Sequence, residues 1–125
     1  CSNCHIVNGQ GKEIGPDLSG IGQKLSRQAL YESILFPSAG ISLGYENWSV
    51  LTVNGQVVTG LLASETDDAV TIKSAEGVLR QIPRGNIEVM KQQQSMMPEN
   101  LPTTLTEQQL VDVVEYLTTL RQTKQ

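Results

Sequence analysis

The stretch Val50-Leu51-Thr52-Val53-Asn54-Gly55-Gln56-Val57-Val58-Thr59 sets two runs rich in β-branched residues on either side of an Asn-Gly pair. Asn and Gly tolerate the positive φ angles that a two-residue hairpin demands, so the pattern predicts two antiparallel strands closed by Asn54-Gly55. Working downstream, Thr66-Asp67-Asp68 and Glu76-Gly77 are the next turn signals. They separate strand-like segments at 60–64, 69–74 and 78–82. Pro83 to Gly85 breaks the pattern again before Ile87-Glu88-Val89-Met90. A glycine inside a strand pattern, here Gly60, marks a bulge or sharp bend. The expectation is four or five antiparallel strands forming a small sheet or partial barrel.

Outside this region the periodicity is helical. Leu30, Ile34 and Leu35 recur at helical spacing after Ser26, a residue suited to capping a helix N-terminus, and Pro37 stops the run. A helix over 27–35 is predicted. Near the other end, Thr106 and Gln109 have the spacing of a capping box, in which hydroxyl and amide each cover a backbone N–H. Leu110, Val113, Val114, Leu117 and Leu120 follow as one apolar stripe, which predicts a helix over 107–121. Residues 1–25 carry Gly9, Gly11, Gly15, Gly20 and Gly22 without sustained periodicity and read as a structured loop. The fold class is therefore α+β. One domain is expected, with 1–44 as loop and helix, 45–93 as a β insertion, and 94–125 as a methionine-containing loop and terminal helix.

The chain has 125 residues, enough for one ordinary domain. Five large aromatic rings, one Phe, one Trp and three Tyr, are few for a core of this size. Another source of bulk would resolve the shortage. Nine basic against thirteen acidic residues give a net charge of −4, which disfavours binding to nucleic acid through its phosphates. A basic partner suits it better. No apolar run approaches the roughly 20 residues needed to cross a bilayer, so a soluble domain without a membrane span is expected. The sequence opens on Cys1 without the charged and apolar lead of a signal peptide.

Cys1-Ser2-Asn3-Cys4-His5 is the attachment pattern for c-type haem. Two thiols one turn apart can form thioethers to two vinyl groups, and the next residue offers an imidazole to the iron. Zinc would need four ligands where the sequence has two Cys and one His, leaving a carboxylate or a second chain to complete the set. A dithiol redox motif normally sits at a strand-to-helix turn of a βαβ unit, and no such unit surrounds Cys1. Asp67-Asp68 lacks the spaced oxygen ligands of a calcium loop. Asn47-Trp48-Ser49 matches a glycosylation sequon.

Cys1 to His5, Gly15-Pro16-Asp17-Leu18, Met97-Pro98 and a final helix bearing Tyr116-Leu117 together resemble the class I cytochrome c pattern. The wider layout, with a β-rich middle ahead of Ser95-Met96-Met97-Pro98, resembles the planctomycete and verrucomicrobial type of haem-binding domain, in which a sheet precedes the methionine loop. That resemblance covers nearly the whole sequence. It implies a cytochrome c-like helical haem-binding core with an inserted β-sheet and one covalent haem c. Cys1 and Cys4 would be the thioether anchors, His5 the proximal ligand, and Pro16 the carbonyl that orients the imidazole. Met97 would be the second axial ligand. Met96 is the alternative one residue away, while Met90 in the last predicted strand reads as packing. Tyr116 and Leu117 match the family's residues near the haem edge, though a helical stripe also reads simply as core. Trp48, Tyr45, Arg80 and Arg84 are donors for haem propionates only as a weaker reading.

His and Met together leave no open coordination position and favour electron transfer over catalysis. The resemblance accordingly implies a non-enzymatic one-electron carrier in the periplasm or another extracytoplasmic location, with redox proteins as partners, a fused or separate dehydrogenase donor among them. The alternative is a haem sensor or peroxidase-like enzyme with a labile sixth site, for which no distal His or Arg constellation is evident. A third reading is an interaction module built on the sheet, with the cysteines in a local disulfide or half of a metal site. Class I members also place a helix ahead of the haem motif, across the terminal helix. With the sequence starting at Cys1, Val113 and Leu117 are expected to be partly exposed, and such a patch invites a second copy.

Overall fold

The computed structural model describes residues 1–122, which form two compact units. One comprises Cys1–Gly40 and the segment from Met97 onward; the other is Ile41–Met96.

In the first unit, the segment expected to be loop contains regular structure. Strands β1 (Ile6–Val7) and β2 (Gln10–Gly11) form a small hairpin, and a one-turn helix α1 covers Ile21–Lys24. Asn8 and Gly9 close the hairpin with φ of 50° and 80°. That is the two-residue turn with both central residues left-handed, and Asn-Gly is the pair that adopts it at least cost. Helix α2 (Arg27–Leu35) has its predicted limits, and the Ser26 hydroxyl accepts from the Ala29 N–H. Helix α3 (Glu107–Thr118) begins at the predicted capping box, where both reciprocal bonds form between Thr106 and Gln109. It ends three residues earlier than its stripe suggested. The final turn tightens, with Leu120 N–H bonding to Leu117 O, and still buries Leu120.

Leu30 and Ile34 of α2 meet Val114, Leu117 and Leu120 in one buried cluster. Half-buried Val7, Leu18, Ile21, Leu25, Tyr31, Met97, Leu110 and Val113 pack around it. The expected partial exposure is therefore corrected for Leu117, while Val113 keeps it. Leu117 is buried and Val113 half-buried, because α1 and α2 both pack on α3. The exposed large hydrophobic side chains on α3 are Val111 and Tyr116. Gly22 permits the α1 contact: its N–H bonds to Leu120 O, and a Cβ there would collide with the Thr118 carbonyl.

The second unit is a five-stranded antiparallel sheet of β3 (Asn47–Thr52), β4 (Val57–Glu65), β5 (Ala69–Lys73), β6 (Leu79–Pro83) and β7 (Ile87–Gln93). Their order is β6-β5-β4-β3-β7, so consecutive strands β6 and β7 occupy opposite edges. A flat sheet would set those edges about 19 Å apart, at about 4.8 Å per strand. The four steps from Pro83 to Ile87 reach only about 14 Å. The sheet must curl into a partial barrel, and Arg84–Asn86 crosses its end as one 3-10 turn. Segments 56–59 and 60–64 belong to a single bent strand, β4, which pairs with β3 through its first half and β5 through its second. Gly60 lies in that bend, where a Cβ would strike the Lys73 carbonyl of β5. The register slip falls two residues later, between Leu62 and Ser64. Val50, Val58, Val70, Ile72 and Ile82 fill the interior, with Trp48, Leu62, Ile87 and Met90 partly covered around them.

The hairpin at Asn54-Gly55 is real, but its turn is not the two-residue type. Thr52 and Gln56 bond to each other, leaving a three-residue loop, and only Gly55 takes a positive φ, of 86°. This is a turn followed by a left-handed glycine, the next commonest hairpin loop. Thr52 selects it through its hydroxyl, which accepts the Gln56 N–H and pairs with Asn54 Oδ1. Ser74 and Gly77 repeat the device between β5 and β6, with the Ser74 hydroxyl accepting the Val78 N–H and Gly77 at a φ of 83°.

Candidate haem-attachment site

Cys1 through His5 form a tight turn in which both Cys4 N–H and His5 N–H donate to Cys1 O, at 3.0 and 2.8 Å. The two thiols are thus held one turn apart. Both cysteines are free and exposed, open to covalent chemistry. The β1–β2 hairpin returns the chain so that Lys12 N–H bonds to Ser2 O, and Ile14 and Gly15 N–H both bond to Cys4 O. Gly11 is needed at that return, with φ of 114° and no room for a Cβ beside the His5 carbonyl.

The His5 ring is half-buried, and its Nδ1 donates to the Pro16 carbonyl oxygen at 2.6 Å. A carbonyl can only accept, so Nδ1 carries a proton, and in the neutral ring the lone pair then lies on Nε2. That is the tautomer a metal-bound imidazole uses, with the opposite nitrogen oriented by an acceptor. Gly15 supplies the space: a Cβ there would lie 2.5, 2.9 and 3.0 Å from ring atoms Cε1, Nδ1 and Nε2. The strap carrying Pro16 is tied down beyond the bond to His5. Leu18 N–H donates to Ile6 O, and the Asp17 carboxylate accepts the Ser19 N–H at 2.8 Å. Hydrogen bonding to Ser19 holds the Asp17 carboxyl below its ordinary pKa, with Lys24 adding a smaller attraction.

Cys1, Ser2, Val7, Asn8, Gln10 and Tyr116 line a cleft of about 540 Å³ beside this turn. None of the six side chains is formally charged. Met97 is in the same compact unit, among the apolar side chains packed on the buried cluster, and is not one of the six residues lining the cleft. Met96 belongs to the sheet unit, and Met90 packs against the sheet interior. The structure therefore brings Cys1, Cys4, His5 and Pro16 together around one turn and sets Met97 within the same unit. Val7, Asn8 and Gln10 escaped the sequence reading because the Gly-rich segment was read as loop. The signal was present in Asn8-Gly9, preceded by Ile6-Val7.

The remaining candidates have local duties. Arg84 is engaged by Glu65 and the Thr66 carbonyl, and Arg80 by Gln56. Asn47 Nδ2, the atom a glycan would occupy, donates to the Gln94 carbonyl within the sheet unit. Among the described residues, no group of three or more His, Cys, Asp and Glu side chains is arranged to hold a metal ion.

The donor set fits one group well: two exposed thiols, an imidazole fixed in the metal-binding tautomer, and a thioether on a half-covered apolar shell. The family model of cytochrome c matches residues 1–71, and the chain belongs to that family. No curated protein matches it. Membership brings a covalently attached haem c with its iron, and places the chain among haem-binding electron-transfer proteins. Cytochrome c proteins are generally carriers rather than enzymes and are typically extracytoplasmic. No helix among the described residues is long and apolar enough to cross a membrane.

Proposed function

We propose that the chain is a monohaem c-type cytochrome that passes single electrons between extracytoplasmic redox proteins, with His5 and Met97 as axial ligands. The β unit over 41–96 is then an insertion between the haem-attachment segment and the methionine loop, as in the planctomycete and verrucomicrobial type. The observation that carries the reading is the 2.6 Å bond from His5 Nδ1 to the Pro16 carbonyl, one residue after the second thiol. Cys1 and Cys4 would hold the haem through thioethers, and the haem supplies a ferric/ferrous couple. His5 keeps its Nδ1 proton on Pro16, which makes Nε2 the better electron donor. Met97 precedes Pro98, whose ring biases the residue before it toward extended backbone and shapes the loop presenting the thioether. The half-buried apolar side chains of the first unit would be covered by the macrocycle, which supplies the bulk that five aromatic residues do not. A basic surface on the partner suits the net charge of −4. A dehydrogenase, fused or separate, is the proposed donor.

Absorption spectra of the ferric and dithionite-reduced protein test the ligation. Sharp low-spin bands on reduction are expected, with a weak ferric methionine-to-iron charge-transfer band that Met97→Ala abolishes and Met96→Ala leaves in place. High-spin bands and rapid carbon monoxide binding by the reduced wild-type protein would contradict the His/Met assignment and favour a sensor or peroxidase-like site.

A further inference from the structure

Ser19 is 3% exposed, yet its hydroxyl is neither core filling nor a helix cap. It accepts the Asn8 N–H at 2.7 Å, from the tip of the β1–β2 hairpin. Its own backbone N–H donates to Asp17 Oδ1 at 2.8 Å. Between Gly15, bonded to Cys4 O, and Leu18, bonded to Ile6 O, lies the Pro16 carbonyl that receives His5 Nδ1. The strap bearing that carbonyl is thus pinned to the haem-attachment turn at its start and to the hairpin at its end. The Ser19 side chain reaches from strap to hairpin, and Asp17 sets the local turn that aims it.

We propose that Ser19, aimed by Asp17, is a positioning residue for the axial histidine: it locks the Pro16 carbonyl onto His5 Nδ1 by tethering the strap to Asn8. This rests on the reading of His5 as an iron ligand. A firmly held acceptor on Nδ1 increases imidazole donation to the metal and stabilises the ferric state. Loosening the strap weakens that donation, so the reduction potential rises. It also lets the Nδ1 proton exchange with water more often, because the bond opens more often.

The test compares the haem-loaded wild-type protein with Ser19→Ala, Asp17→Ala and Asp17→Asn, reading the potential by redox titration and His5 Nδ1–H exchange by proton NMR of the ferrous form. Ser19→Ala and Asp17→Ala are expected to raise the potential and to speed Nδ1–H exchange at least tenfold. Asp17→Asn, which keeps an oxygen acceptor for the Ser19 N–H, should restore most of both values. Asp17 is exposed, so its variants carry the test if Ser19→Ala does not fold. Low-spin variants with unchanged potential and exchange, differing only in melting temperature, would overturn the positioning role and leave the ligand assignment intact. A ferrous wild-type protein whose His5 ring signals show no displacement by the haem ring current would overturn both.

Discussion

Gly15 and His5 show how narrowly the attachment turn is specified. The ring lies against the Gly15 backbone so closely that any side chain there must displace it. Gly15→Ala is accordingly expected to cost about 1–3 kcal/mol through overpacking, the usual range for inserting atoms into a filled site. Thermal unfolding measures that loss. The accompanying spectrum should show a weakened low-spin signature, because the alternative to moving the ring is lifting the Pro16 strap from it. An unchanged spectrum and melting temperature would mean that the ring does not occupy this position. Residue types and spacing identified Cys1, Cys4 and His5 as candidates, while Pro16 and Met97 came from the resemblance to class I cytochromes c. Neither identified Ser19 or Asn8. A hydroxyl eleven residues from the backbone N–H that it accepts leaves no local pattern.

Two Asn-Gly pairs show which parts of an element are legible. Both close hairpins, and the composition of the flanking residues is enough to say so for 54–55. The turn type is decided elsewhere, by whether a residue just ahead of the pair has a side chain that competes for the backbone. Thr52 does so through its hydroxyl, which converts the loop to three residues and leaves Asn54 out of the left-handed region. Ile6, the residue in the corresponding place, has no such group, and Asn8 takes a φ of 50°. Asn8→Ala should therefore destabilise the protein by about 1 kcal/mol, since alanine meets the full left-handed penalty. Asn54→Ala should cost only its partly buried bond to Thr52. Chemical denaturation of the two variants checks the order, and equal losses would contradict it. Helices α2 and α3 were legible because a cap and an apolar stripe are local signals. The closure of β7 onto β3 was not, because pairing across the sheet depends on contacts between residues about 40 positions apart.

At the scale of the whole molecule, a net charge of −4 and a cleft beside Cys1 lined by uncharged side chains make separate contributions to electron exchange. The overall field governs approach and weakens as salt screens it. A cationic small-molecule oxidant should therefore react faster than an anionic one of similar potential at low ionic strength, and the two rates should converge as salt is added. Stopped-flow oxidation measures this. A persistent difference at high salt would place charged groups at the exchange site itself. Membership of the cytochrome c family settles the class of chemistry, whereas the His5 and Met97 ligand set and the single haem are proposals. The most direct test is the mass of the acid-denatured protein after expression with a working cytochrome maturation system. It should exceed the polypeptide mass by one haem, resist acid-acetone extraction, and fall to the polypeptide mass when Cys1 and Cys4 are both replaced by alanine. A denatured wild-type chain at its bare polypeptide mass, with colour lost to the solvent or never present, would contradict the account.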